Sequence, residues 1–287
     1  MTIKYAHKPN TVEDAIELLN QYKEKGKIIA GGTDLVIEIK NRKTDFEALI
    51  DVSSIEEMSF VTVEGDIVEI GAATTFTEIV ESDLLGNRLA GLKEAAHSIG
   101  SPQIRNKGTI GGNICNGSPA ADIVPPLLVL DAVAVIRSKT GEREVLVEKF
   151  FVDKGKVALK DDELLVSIKF KKPSPNQVLS FSKLGLRKAL AISRICTSVF
   201  VEFDTNDSCK EIRIANGSLG RFGMREREVE EYFEGKQLTE EIIEDGLKLM
   251  QKKVAERLAG RSTVEFKSTA IKGVLRSALK NAFNQNV

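Results

Sequence analysis

The stretch Lys27-Ile28-Ile29-Ala30-Gly31-Gly32-Thr33-Asp34-Leu35 decides how the N-terminal part of the chain is built. Its apolar run reads as a short buried strand, cut off by two glycines and followed by Leu35, Val36 and Ile39 at helical spacing. A strand that enters a helix through a Gly-Gly turn aims several backbone N–H groups, and the positive end of a helix, at one spot. That arrangement suits a phosphate, and glycine lets backbone approach a ligand that a Cβ would block. A plainer reading stays open, a tight turn that needs positive φ, because neither GxGxxG nor GxxxxGK[ST] is present.

Outward from this stretch, residues 11–24 read as a helix with Thr11 as N-cap, Asp14 at the third helical position and Val12, Ile16 and Leu19 on one face. Residues 48–52 form another short strand, which completes a compact α/β unit. Residues 60–63 and 67–70 alternate like strands and meet at Gly65-Asp66, a hairpin turn. A helix is expected over 84–99, ended by Gly100-Ser101-Pro102, then a short helix over 127–130 and a strand over 132–137. Residues 171–176, Lys-Lys-Pro-Ser-Pro-Asn, read as a linker. Strands at 179–184, 197–203 and 211–215, followed by helices at 224–233, 240–257 and 270–283, predict an α+β C-terminal part.

A second glycine-rich segment runs from Gly108 to Asp122: Gly-Thr-Ile-Gly-Gly-Asn-Ile-Cys-Asn-Gly-Ser-Pro-Ala-Ala-Asp. It reads as a flexible ribbon of donors and acceptors, with Ser118-Pro119 as a helix N-cap followed by Pro at the first helical position. Two helix starts fed by glycine turns could clamp a pyrophosphate, as a dinucleotide cofactor would require. The alternative is an irregular surface loop.

Composition narrows the function classes. Hydrophobic residues make up 42% of the 287 residues and charged residues 29%, which excludes wholesale disorder. Lys and Arg number 41 against 42 Asp and Glu, so the basic excess that grips nucleic acid is missing and no such partner is expected. The three cysteines, Cys115, Cys196 and Cys209, form no CxxC, and His7 and His97 are the two histidines. That set supports neither an iron–sulfur cluster held by this chain's own cysteines nor a His-rich metal site. No segment approaches the ~20 apolar residues of a membrane span, and no signal-peptide core is visible. A cytoplasmic chain with no membrane partner is expected. Asp161-Asp162-Glu163 reads as a solvated turn, and no His–carboxylate pair suggests a catalytic acid or base.

Ala30-Gly31-Gly32-Thr33-Asp34-Leu35, Thr109-Ile110-Gly111-Gly112-Asn113 and Ser118-Pro119-x-x-Asp122 together resemble the FAD-binding subunits of the molybdenum hydroxylases. These are the xanthine, carbon monoxide and nicotinate dehydrogenase flavoproteins. The resemblance continues through Ser101-Pro102-Gln103-Ile104-Arg105-Asn106, Phe181-Ser182-Lys183-Leu184-Gly185-Leu186-Arg187, and Arg225 to Glu230 with Glu234-Gly235-Lys236. It implies an α+β chain: a two-part FAD-binding domain of the vanillyl-alcohol-oxidase (PCMH) type, over 1–56 and 57–172, then a flavoprotein C-terminal domain over 177–287. By position, Lys27, Ile28, Ile29, Ala30, Gly31, Gly32, Thr33, Asp34 and Leu35 would wrap the pyrophosphate. Ile104, Thr109, Gly112 and Asn113, with Gly108, Gly111 and Cys115 of the same segment, would line the other side. Asp122 would take a polar part of the cofactor, and Leu165 and Lys183 would lie near the flavin.

The resemblance further implies noncovalent FAD, with Cys115 a small packed residue and not a flavin attachment point. It implies a large molybdopterin-binding partner subunit, a small [2Fe–2S] partner subunit, and NAD+ or another acceptor that takes electrons from the FAD. Two departures stand out. A Tyr-Arg-Arg that many members carry near the last helix is replaced by Ser268-Thr269-Ala270-Ile271-Lys272-Gly273, and Arg187 to Ser193 is closer to purine and nicotinate hydroxylases of anaerobes than to the animal xanthine enzymes. Alternatives of other classes are a free-standing FAD-dependent reductase or oxidase of the same fold, and a non-catalytic assembly subunit.

Overall fold

Thr11 starts the first helix, Val12–Tyr22, by accepting a hydrogen bond from the Asp14 N–H, and Val12, Ala15, Ile16 and Leu19 bury the expected stripe. That helix is the crossover between strands Tyr5–His7 and Gly26–Ile29, which flank Ala48–Asp51 in a three-stranded sheet, all pairs parallel. Tyr5–His7 is a strand that the sequence did not announce. Its His7 Nε2 lies 2.9 Å from the Tyr22 hydroxyl.

In this computed structural model, which describes residues 3–41, 45–187, 190–204 and 208–285, the chain forms two units. The first holds residues 1–84, 101–117 and 132–171, and the second holds 85–100, 118–131 and 172–287. Two segments that the sequence assigns to 57–172 therefore pack with the C-terminal residues.

Besides the parallel sheet, the first unit has a five-stranded antiparallel sheet in the order Val61–Glu64, Ile67–Gly71, Leu164–Lys171, Val133–Ser138, Gly141–Leu146. The first two strands are the expected hairpin, with Gly65 at φ +62 in its turn. The central strand Leu164–Lys171 is buried almost throughout, so it shows little of the alternation by which half-buried strands are recognised. Glu163, read from sequence as part of a solvated turn, is instead buried. It receives two hydrogen bonds from the Arg143 guanidinium and one from the Lys160 N–H. The Arg143 guanidinium holds the Glu163 carboxyl below the usual carboxylate range.

The second unit is a four-stranded antiparallel sheet, Gln177–Leu184, Ile195–Phe203, Cys209–Gly217 and Met224–Arg225. Ile195, Val199, Val201 and Phe203 share a core with Phe233, Leu247, Met250, Leu275 and Leu279 from helices Arg227–Phe233, Glu240–Arg257 and Val264–Gln285. Burying each such side chain contributes ~1.5–3 kcal/mol. Cys196, one residue along, faces the other way, towards Gly217. Both faces of Ile195–Phe203 are covered, which explains its unbroken burial. Two helices begin later than the sequence suggests. The expected helix over 84–99 is Ala90–His97, preceded by the 3-10 turn Asn87–Leu89, because Gly86 at ψ −174 departs from helical geometry. The expected 224–233 helix begins at Arg227, since Met224 and Arg225 pair with Asn216 and Ala215 as a strand.

Candidate cofactor-binding site

The two glycine segments meet in the first unit. A Cβ on Gly31 would stand 1.8 Å from the Lys107 carbonyl oxygen and 2.9 Å from the Gly108 nitrogen, so only glycine admits this backbone contact. Gly32 follows at φ +67 and turns the chain from Gly26–Ile29 into the helix Leu35–Lys40. Asn116 Nδ2 donates to Asp34 Oδ2 at 3.3 Å, a second tie between the segments.

The ribbon expected over 107–117 is more ordered than the sequence suggests. Ser101 caps Pro102–Arg105, Gly108 N–H returns to the Ile104 carbonyl at 2.6 Å, and Thr109 caps a second short helix, Ile110–Cys115, by accepting from the Gly112 N–H at 3.1 Å. This helix rests on residues 72–76: Ile110 N–H donates to the Thr74 carbonyl, Gly111 N–H to Ala72, and Phe76 N–H to Gly108. Those supporting residues were not read from sequence, although Thr75-x-x-Glu78 is a complete capping box on the helix Phe76–Glu81. The Ser–Pro helix start belongs to Ser101-Pro102 and not to Ser118-Pro119. Ser118 Oγ accepts from Ala120 N–H, two residues on, which makes a turn, and the next helix is Val124–Val129 with its own prolines in the first turn. The two expected helix starts are thus revised to three short ones, at Leu35, Pro102 and Ile110.

The donors fit a diphosphate. Among the described residues, the N–H groups of Gly31, Gly32, Thr33 and Asp34 donate to no other backbone group. Asn113 Oδ1 is buried and has no hydrogen-bond partner, which is costly unless a ligand donor completes it. Apolar surface stands exposed nearby in sequence, at Val36, Ile37 and Ile104. Burial pushes the Cys115 thiol up to about 12 against the lowering pull of Lys27, so it stays protonated and a poor nucleophile. Leu165 is buried in strand Leu164–Lys171, beside a register shift.

Asp122 and Lys183 belong to the second unit and are joined there by a 2.6 Å ion pair. Lys183 Nζ also donates to the Ser98 carbonyl, and the Ser193 hydroxyl donates to Asp122 Oδ1. Burial raises the Asp122 carboxyl, while the Lys183 ammonium and the serine hydrogen bond pull it back. The site residues inferred from sequence thus fall in two groups, the glycine segments with Leu165 in one unit and the Asp122–Lys183 pair in the other. The stretch 268–273 lies inside the helix Val264–Gln285, with Ser268 and Ile271 buried. In 187–193, Lys188 and Ala189 lie outside the described residues. No group of three or more His, Cys, Asp or Glu side chains able to hold a metal ion occurs among the described residues.

Comparison with known proteins assigns both the N-terminal and the C-terminal stretch. Residues 2–173 match the FAD binding domain in molybdopterin dehydrogenase, and residues 180–282 match the CO dehydrogenase flavoprotein C-terminal domain. The nicotinate dehydrogenase FAD-subunit of Eubacterium barkeri is 36% identical over 96% of this chain and 95% of its own length. The xanthine dehydrogenase FAD-binding subunit of Escherichia coli O157:H7 is 33% identical over 96% of this chain and 94% of its own length. Among solved structures, a carbon monoxide dehydrogenase from Hydrogenophaga pseudoflava that lacks the Mo-pyranopterin moiety of the molybdenum cofactor aligns with a TM-score of 0.92 at 28% identity, over 99% of this chain and 98% of that one. With both parts matched in chain order, this protein belongs to the FAD-binding medium subunits of the molybdenum hydroxylase family, the flavoprotein components of oxidoreductase complexes.

Proposed function

We propose that this chain is the electron-transfer subunit of a cytoplasmic molybdenum hydroxylase of the xanthine dehydrogenase kind, a heterotrimer at its simplest. Substrate is hydroxylated on a large molybdopterin-binding subunit, and a small [2Fe–2S] subunit relays the electrons here, with NAD+ as the final acceptor. When bound, FAD supplies the exchange between one-electron donors and a two-electron acceptor. This chain's residues hold and orient it. Residues 27–35 present backbone donors to the diphosphate, Ile104, Gly108, Thr109, Gly111, Gly112 and Asn113 close the other side, and Cys115 packs without covalent attachment. Asp122 and Lys183, with Leu165, belong at the polar and ring portions of the cofactor. No side chain is assigned as catalytic acid or base, and no metal ligand is assigned.

The observation that carries the reading is the contact of Gly31 with the Lys107 carbonyl, which brings the unpaired N–H groups of 31–34 beside the segment that holds Asn113. The test is the visible spectrum of the purified full chain before and after NADH under anaerobic conditions. Flavin bands that bleach with NADH are expected. Bands that persist would remove NAD+ as the acceptor, and a chain that binds no FAD even when it is supplied would overturn the reading altogether.

A further inference from the structure

The segment 185–194 joins the strands Gln177–Leu184 and Ile195–Phe203, and its last residues bring a serine against the candidate cofactor pair. Arg194 N–H donates to the Leu184 carbonyl at 2.8 Å, and a Cβ on Gly185 would stand 2.5 Å from the Ala191 side chain, so the two ends of this loop lie against each other. Ser193 is therefore fixed beside the strand ends. Its hydroxyl donates to Asp122 Oδ1, and its own carbonyl accepts from the Ser218 hydroxyl at 2.9 Å. The Ser218 N–H donates in turn to the Pro119 carbonyl at 2.7 Å, in the turn that precedes Asp122, which ties both sides of the contact to one piece of backbone.

Strand register supplies the rest of the cluster. Lys183 pairs with Cys196 across the two strands, and Cys196 pairs with Gly217 on the next. Directly paired residues share one face of a sheet, so the Cys196 thiol is turned to the same side as the Lys183 ammonium. A Cβ on Gly217 would stand 2.5 Å from Cys196 Sγ, so glycine there leaves the thiol its room. Burial, and after it the Asp122 carboxylate, push this thiol well above its usual range, so it stays an S–H beside the carboxylate. Asp122 Oδ2 accepts from Lys183 Nζ at 2.6 Å. The buried carboxylate thus meets a cation on one oxygen and the Ser193 hydroxyl on the other.

An ammonium carries three N–H donors. Lys183 uses one on Asp122 Oδ2 and one on the Ser98 carbonyl at 2.9 Å, and among the described residues the third has no protein acceptor. On a side chain only 14% exposed, such a donor is costly unless a ligand takes it. Its direction is set by the other two bonds, and one of those depends on how the carboxylate is turned. The terminal torsion of an aspartate is broad, and the hydroxyl on Oδ1 is what stops it from turning.

We propose that Ser193 is a positioning residue of the cofactor site: its hydroxyl fixes Asp122 and thereby aims the remaining N–H of Lys183 at the flavin ring, an inference that rests on the placement of Asp122 and Lys183 at the cofactor proposed above. A fixed ammonium there attracts the added electron density of a reduced ring, so the residues that hold Lys183 also set how readily the flavin takes electrons. Without the hydroxyl the carboxylate turns, draws the ammonium away and lowers the flavin midpoint potential.

The test uses the FAD-loaded full chain and its S193A, S193C, S193T, S180A and K183M variants, titrated anaerobically with dithionite against a reference dye in mildly alkaline buffer. S193A should shift the reduction equilibrium about tenfold towards oxidised flavin, the scale of one lost charge-assisted hydrogen bond, or ~30 mV for a two-electron couple. S193T keeps the hydroxyl and should match wild type. S193C, with its weaker donor, should fall between, and it reads the same order if S193A does not fold. Ser180 is a buried serine of the same sheet whose hydroxyl donates to the Ala278 carbonyl, so S180A should leave the potential unchanged. A folded S193A that holds no FAD while S193T holds it would carry the same dependence, read as affinity. An S193A potential equal to that of wild type overturns the proposal and leaves Asp122 and Lys183 at the cofactor. An equal shift in S180A also overturns it, since any buried hydroxyl would then serve. K183M should bind FAD more weakly or lower its potential. If it does neither, Lys183 does not meet the flavin, and the proposal falls together with the placement beneath it.

Discussion

At the scale of single residues, the most exacting position is Gly31. Its missing Cβ is what allows the Lys107 carbonyl to approach, so the change Gly31→Ala forces the 104–108 segment to retreat. Overpacking of this sort costs ~1–3 kcal/mol. Because this contact sets the candidate diphosphate donors of 31–34 beside the 108–113 segment, the larger effect should fall on the cofactor. The flavin-to-protein absorbance ratio of purified Gly31→Ala should drop at least fivefold. A Cβ on Gly273, in Val264–Gln285, meets nothing within 4 Å, so Gly273→Ala should retain its FAD and serves as the control. Equal flavin content in the two variants would show that the close contact does not shape the cofactor site. The importance of Gly31 was visible in the sequence as a Gly-Gly pair between strand and helix. Its partner Lys107 was not, because nothing local in residues 27–35 specifies which distant carbonyl packs there.

Secondary-structure elements were legible where one face is wet and obscure where both are dry. Val12–Tyr22 and Glu240–Arg257 bury a stripe and expose the rest, so their periodicity shows. Leu164–Lys171 is covered on both faces over most of its length, and the Glu163 that precedes it looks like an ordinary surface acid until Arg143 is brought across from Gly141–Leu146. This pair makes stability depend on pH. The folded-state pKa of Glu163 lies below its unfolded value, so the stabilisation is complete above the ordinary carboxylate pKa of ~4.3 and is lost as pH falls through the lowered folded value. Because the arginine is about one-third exposed, the pair is worth roughly 1–2 kcal/mol. Glu163→Gln should therefore melt a few degrees lower than wild type at pH 7. The two melting curves should draw together only as pH falls through that lowered folded-state value, where the glutamate carries no charge either. Melting curves that stay equally separated at both pH values would mean that the ionised pair is not the source of the effect.

At the scale of the whole molecule, a cofactor that binds the folded chain and not the unfolded one stabilises it by mass action. A free concentration of a hundred times Kd contributes ~2.7 kcal/mol. Removing FAD from the purified protein should lower its melting temperature by several degrees, and adding FAD back should restore it, as read by scanning calorimetry. A melting temperature indifferent to FAD would contradict tight binding to the native state. Residues 85–100 and 118–131 leave the first unit's sequence to pack with the second. The chain thus passes back and forth between the units, and the ribbon that ends at Gly117 is followed directly by the segment that carries Asp122. That exchange is invisible to a reading that walks along the chain and places domain boundaries at linkers.

The sequence by itself determined the family, the α+β class with a linker near 171–176, and the two glycine segments. Glycine pairs, capping residues and apolar spacing are local signals that need no knowledge of distant partners. Only the tertiary structure decided that Thr109 begins a helix inside the glycine ribbon, that Ser118-Pro119 makes a turn, and that Glu163 is buried. Each of these outcomes depends on which carbonyl, carboxylate or charge a distant stretch of chain brings alongside. Hydrogen bonds and charges act over a few ångströms in space, and separation along the chain does not record that distance.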